Sequence, residues 1–130
     1  MTRIHVSLRT ADLEATTAFY TQLFGEAPDK VRPGYRRFAP AGVPVLLALM
    51  EGEPGVDHFG IRVDDVGAAS AAWARLQESG VALDPSEGVV CCHATKSEAW
   101  LADPDGRGWE VYAVTDENPE EVPTSSTCCA

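Results

Sequence analysis

No stretch of this chain approaches the roughly eighteen consecutive apolar residues that a membrane span requires. Basic residues are scarce. Ten Lys and Arg against twenty Asp and Glu give a formal net charge of −10 and a sequence pI near 4.6. That balance excludes nucleic acid and anionic membrane surfaces as expected partners, since both demand basic patches. An apolar signal-peptide core is lacking too, because Met1 to His5 runs straight into a strand-like segment. A cytoplasmic location is the expectation. Cysteine is missing except as two adjacent pairs, Cys91-Cys92 and Cys128-Cys129. Adjacent cysteines make a poor disulfide framework, so free thiols in a reducing compartment are expected, open to soft metals or metalloids. What remains is a chain of 130 residues with ordinary apolar content, enough for one compact domain.

The most informative feature present is an internal repeat. His5-Val-Ser-Leu-Arg-Thr-Ala-Asp-Leu13 lies over His58-Phe-Gly-Ile-Arg-Val-Asp-Asp-Val66, with His, Arg and Asp recurring. At the same offset Tyr20 falls on Trp73 and Leu23 on Leu76. Each copy reads as a strand followed by a helix. In the first, Ile4, Val6 and Leu8 alternate with His5, Ser7 and Arg9, the period of a half-buried strand. Leu13, Thr16, Tyr20 and Leu23 then share one helical face, and Gly25 suits the helix end. In the second, Val66, Ala69, Trp73 and Leu76 repeat that spacing, with Asp64 or Asp65 as cap and Gly80 as terminator.

The ends of the two copies also align, at a larger offset, with Pro40 to Met50 lying over Pro104 to Val114. The second copy is therefore longer between Gly80 and Pro104, the stretch that holds Cys91-Cys92. Glu110 falls opposite Leu46, so one copy offers a carboxylate where the other offers an aliphatic side chain. Pseudo-twofold pairing of such copies brings equivalent strands together, which makes His5, His58 and Glu110 the expected metal ligands. Two imidazoles and a carboxylate form the ligand set of non-haem Fe(II) sites, with positions left open for O₂ and substrate. A carboxylate at Leu46 would complete a four-ligand set better suited to a Lewis-acid isomerase.

From roughly Arg3 to Val114 the chain resembles the vicinal oxygen chelate (glyoxalase/bleomycin-resistance/dioxygenase) superfamily. The resemblance rests on the paired modules, on Phe19-Tyr20-Thr-Gln-Leu-Phe-Gly25, and on Asp103-Pro-Asp-Gly106 leading into Trp109-Glu110. It implies an α+β fold of two tandem βαβββ modules, about residues 3–50 and 57–114, forming a cleft or half-barrel with metal at the matched strand positions. Isomerases, dioxygenases, thiol transferases and non-catalytic binders share that scaffold, so membership alone does not give function.

Cys91-Cys92-His93 narrows the field. Neighbours on a regular strand point to opposite faces, so both thiols can serve one ligand only in a loop or bulge. The extra length and the polar run Thr95-Lys96-Ser97-Glu98 favour a loop there. A trivalent organoarsenical keeps one valence for carbon and offers two to thiolates, which matches an adjacent cysteine pair in number and softness. The alternative is a pair of small buried hydrophobes. The pair, followed by Trp100 and Asp103-Pro-Asp-Gly-Arg-Gly-Trp-Glu110, resembles the Fe(II)-dependent carbon–arsenic lyases, or cadmium-induced proteins. That resemblance implies arsenic on Cys91 and Cys92, and Fe(II) on His5, His58 and Glu110. O₂ is then the co-substrate and arsenite the product, an arsenic detoxification. Ni, Co or Zn can stand in for iron in a purified sample. His93, where a Tyr is common in that family, is read as a loop residue.

Residues 115–130 form an acidic segment with Pro119, Pro123 and no apolar periodicity, expected to be disordered, with Cys128-Cys129 as accessory thiols. Two rivals stand beside the lyase. One is a metal-dependent thiol transferase of the fosfomycin-resistance type, the other a non-catalytic arsenic- or cadmium-sequestering protein. Pairing of modules within one chain and across a homodimer are both open at this point.

Overall fold

The computed structural model describes residues 1–91 and 93–120. Cys92, Cys128 and Cys129 lie outside the described residues, as does the side chain of Cys91. The elements run β1 (Arg3–Thr10), α1 (Leu13–Phe24), β2 (Lys30–Arg32), β3 (Tyr35–Phe38) and β4 (Val45–Glu51). The same order then repeats as β5 (Gly55–Arg62), α2 (Val66–Glu78), β6 (Asp84–Cys91), β7 (Ala94–Ala102) and β8 (Gly108–Asp116). This is a mixed α+β fold of one open eight-stranded sheet, in the order β2-β3-β4-β1-β5-β8-β7-β6, with two helices. No helix among the described residues is long and apolar enough to cross a membrane.

The chain divides into two compact units, Arg3–Phe59 and Gly60 onward with Met1–Thr2, and β5 crosses the boundary. In Arg3–Phe59, β1 pairs in parallel with β4, and His5 stands opposite Leu46. Asp12 caps α1 by accepting from the Ala15 amide, and Gly25 closes it in the left-handed region at φ 70°. Leu13, Phe38, Leu47 and Leu49 form the core under α1, with Val6, Leu8, Tyr20 and Phe24 packed against them. Leu23, expected on that face, is exposed instead. Phe24 takes the inward place because it lies four residues after Tyr20, and the two rings stack.

In the second unit Asp65, rather than Asp64, caps α2 through the Ala68 amide. Ser79 forms the C-cap, followed by Gly80 at φ 86°. Ala69, Trp73, Ala99, Val111 and Ala113 make the core beneath α2. Trp73 also donates from its indole nitrogen to the Val111 carbonyl at 3.0 Å, which ties the helix to β8.

The added length of the second copy lengthens a hairpin and does not make a free loop. β6 and β7 span eight and nine residues, where β2 and β3 span three and four. Cys91 ends β6 opposite Ala94, His93 turns with φ 64°, and the register shift falls between Ser86 and Val89. The run Thr95–Glu98, expected in a loop, belongs to β7. At the far end β8 continues to Asp116, past the expected limit at Val114, and Glu117 pairs with Arg62 at 3.1 Å.

Candidate metal centre

The pleat of β1 turns His5 and Ser7 to one face and Val6 and Leu8 to the helix. The polar face is the drier one: His5 is 4% and Ser7 1% exposed. On β5, His58 is equally buried. The two imidazoles stack within this unit, with centroids 5.3 Å apart and planes 15° from parallel.

His58 is oriented by its neighbour. Asp57 Oδ2 lies 2.7 Å from His58 Nδ1. Asp57 Oδ1 accepts from Arg9 Nη1 at 2.9 Å, and the Asp57 side chain is 2% exposed. A carboxylate has only acceptors to offer, so Nδ1 carries the ring proton and Nε2 keeps its lone pair.

Glu110 is fully buried on β8. The β7–β8 register sets Lys96, Glu98 and Trp100 on the same face as Glu110 and Tyr112, while Ala99, Leu101, Val111 and Ala113 face α2. Lys96 Nζ lies 3.3 and 3.4 Å from the two Glu110 oxygens and 4.6 Å from the centre of the Tyr112 ring. Burial first, and then a hydrogen bond with Glu110, push the Glu98 carboxyl up from 4.5 to about 7, while Lys96 pulls the other way. Glu98 Oε2 has no hydrogen-bond partner among the described residues. An apolar hollow of about 500 Å³ under α2, lined by Ile61, Val63, Leu76, Leu101 and Trp109, lies on the other face of β8.

His5 and His58 of Arg3–Phe59 and Glu110 of the second unit are all buried, and they are the candidate His/His/Glu donors. The donor set, two imidazoles and one carboxylate, fits a divalent cation. The sequence did not reveal Asp57 as the partner of Arg9, nor Lys96 and Glu98 as neighbours of Glu110. The first pair is hidden because partners in a salt bridge need not repeat. The second was available in the alternation Lys96, Glu98, Trp100, had that run been read as a strand.

The Glyoxalase/Bleomycin resistance protein/Dioxygenase superfamily model matches residues 3–111. The chain belongs to this superfamily. Among its relatives is the trivalent organoarsenical cleaving enzyme of Thermomonospora curvata, 41% identical over 99% of this chain and 89% of the relative. The cadmium-induced protein CadI of Mycobacterium bovis is 40% identical over 88% of this chain and 77% of the relative. In fold the chain is similar to the Mn(II)-bound glyoxalase of Novosphingobium aromaticivorans. That match has a TM-score of 0.65 at 20% identity, and it covers 94% of this chain and 43% of the glyoxalase. The superfamily thus includes dioxygenases and organoarsenical cleaving enzymes, and its expected fold is borne out.

Proposed function

We propose that this chain is a cytoplasmic non-haem Fe(II)-dependent dioxygenase that cleaves the carbon–arsenic bond of trivalent organoarsenicals and releases arsenite. The observation that carries this reading is a candidate His/His/Glu set in a chain 41% identical, over 99% of its length, to a trivalent organoarsenical cleaving enzyme. In it, His5, His58 and Glu110 hold the metal, and Cys91 and Cys92 hold the arsenic through its two non-carbon valences. Fe(II) would supply open positions and the electrons that activate O₂.

The chain's own part is placement. The thiol pair fixes the arsenical so that its carbon is presented to the metal, converting an encounter into a positioned reaction. β6 ends at Cys91, the first of the pair, and β7 begins at Ala94. For methylarsenite the atoms balance without any outside reductant: one O₂ converts CH₃As(OH)₂ into As(OH)₃ and formaldehyde. Carbon is oxidised, O₂ is reduced, and arsenic stays trivalent.

The two adjacent cysteine pairs also suit a second reading, a thiol-based sequestering protein. One assay separates the two. Protein reconstituted anaerobically with Fe(II) is given methylarsenite and O₂, and arsenic species and O₂ uptake are followed together. Arsenite formed in step with O₂ consumption supports the dioxygenase. Bound but uncleaved methylarsenite, with no O₂ uptake, sinks it and leaves the sequestering protein.

A further inference from the structure

Asp57 is a charged residue inside a strand, almost wholly buried, and the chemistry proposed above gives it no part. Its two oxygens are divided between different partners. Oδ2 faces His58 Nδ1 at 2.7 Å, and Oδ1 accepts from Arg9 Nη1 at 2.9 Å. Arg9 is in turn gripped by the β4–β5 turn, where its Nε donates to the Glu53 carbonyl at 3.0 Å. Two glycines make room for it. A Cβ on Gly52 would stand 3.3 Å from Arg9 Cδ, and one on Gly55 would stand 3.1 Å from Nη2. The turn, the guanidinium, the carboxylate and the imidazole therefore form one chain of contacts within Arg3–Phe59.

We infer that Asp57, anchored by Arg9, is a positioning residue that fixes His58 in its Nδ1–H tautomer and presents Nε2 to a divalent metal. This rests on His58 being a metal ligand, as proposed above. A buried carboxylate is costly unless its charge is paired and its oxygens are bonded, and here both conditions are met. A carboxylate behind a ligating histidine holds the ring in place and makes the ligating nitrogen a stronger donor.

The test reads the tautomer directly. Metal-free protein labelled with ¹⁵N-histidine, at a pH of about 8 where imidazole is neutral, should give an Nδ1–H pattern for His58. Asp57→Ala should shift it toward the Nε2–H form and weaken Mn(II) binding by roughly 10- to 100-fold, the usual effect of removing such a partner. Asp57→Asn, which keeps an acceptor oxygen, should hold the tautomer and lose less affinity. Arg9→Met removes only the anchor, keeps the tautomer and should cost a few-fold in affinity, which maintains the test if Asp57→Ala does not fold. A purely structural ion pair would lower thermal stability and leave both the tautomer and the metal affinity alone. That outcome, with His58→Ala still abolishing Mn(II) binding, overturns the inference and spares the metal site. If His58→Ala binds Mn(II) as wild type does, the metal site itself fails.

Discussion

Lys96 Nζ stands 3.3 Å from Glu110 Oε2, with the two side chains 3% and 0% exposed. Each charge is out of water, and each depends on the other for compensation. Removing one member of a buried pair leaves the other stranded, at a cost of about 3 kcal/mol or more. Lys96→Met should therefore destabilise the metal-free protein by about that amount at neutral pH. A divalent cation at Glu110 would replace the lost ammonium, so added Mn(II) should raise the melting temperature of Lys96→Met more than that of wild type. Equal gains in both proteins would show that the lysine and the metal do not share Glu110.

Glu98 supplies the pH dependence. Burial and its hydrogen bond with Glu110 raise its carboxyl to about 7 from 4.5. A raised folded-state value means that the native chain holds a proton the unfolded chain has released. The contribution is fully present below about pH 4.5 and is lost as pH rises through about 7. Glu98→Gln should remove that slope. Chelator-treated Glu98→Gln should be the more stable protein at pH 8, by an amount on the order of 2 kcal/mol, and the two stability curves should converge toward pH 5. Parallel denaturation curves across that range would rule out the raised carboxyl.

These two residues also mark where the sequence was hard to read. A run such as Thr95-Lys96-Ser97-Glu98 has the composition of a loop. Only its phase against Glu110 marks it as a strand with one polar face turned inward. The elements whose signals are local were legible: Gly25 at the end of α1, a cap at Asp64 or Asp65, the Trp73 face of α2, and the strand-then-helix start of each copy. The three strands that follow were implied by the family resemblance. His5, His58 and Glu110 were reachable because the repeat puts the histidines at matching strand positions and sets Glu110 against Leu46. The recurring Arg9 and Arg62 were visible too, but their partners Asp57 and Glu117 were not. The repeat supplies the arginines in matched places and their acids in unmatched ones. Leu23 and Phe24 compete for one helical face, and periodicity alone does not rank a leucine against a phenylalanine one residue away.

The ligand set is open to direct substitution. His5→Ala, His58→Ala and Glu110→Ala should each abolish stoichiometric Fe(II) binding and arsenical turnover while the chain stays folded by circular dichroism. Leu46→Glu should act in the opposite sense. Leu46 is buried and stands opposite His5 in the β1–β4 register, so a carboxylate there adds a fourth donor beside that ligand. Metal should remain bound, and O₂ consumption should fall at least tenfold because a coordination position is taken. Full Fe(II) affinity in any of the three alanine variants would remove that residue from the set.

The thiols carry the substrate claim. Cys91→Ser and Cys92→Ser should each leave Fe(II) affinity unchanged, because neither cysteine belongs to the His/His/Glu set. Each should still abolish arsenite release: one thiolate cannot satisfy both non-carbon valences of arsenic, and a hydroxyl is too hard a donor to substitute. Affinity for methylarsenite should fall by more than tenfold in either single variant. The double variant Cys128→Ser/Cys129→Ser should keep turnover at saturating substrate within about twofold, since accessory thiols can aid capture without touching the reacting carbon. The argument for the first pair is the valence count of arsenic and the softness of sulfur. β6 ends at Cys91 and His93 turns at φ 64°. Arsenite released at wild-type rates by both single variants would end the arsenical reading, and the chain would then stand as a three-ligand metalloenzyme acting on a different substrate.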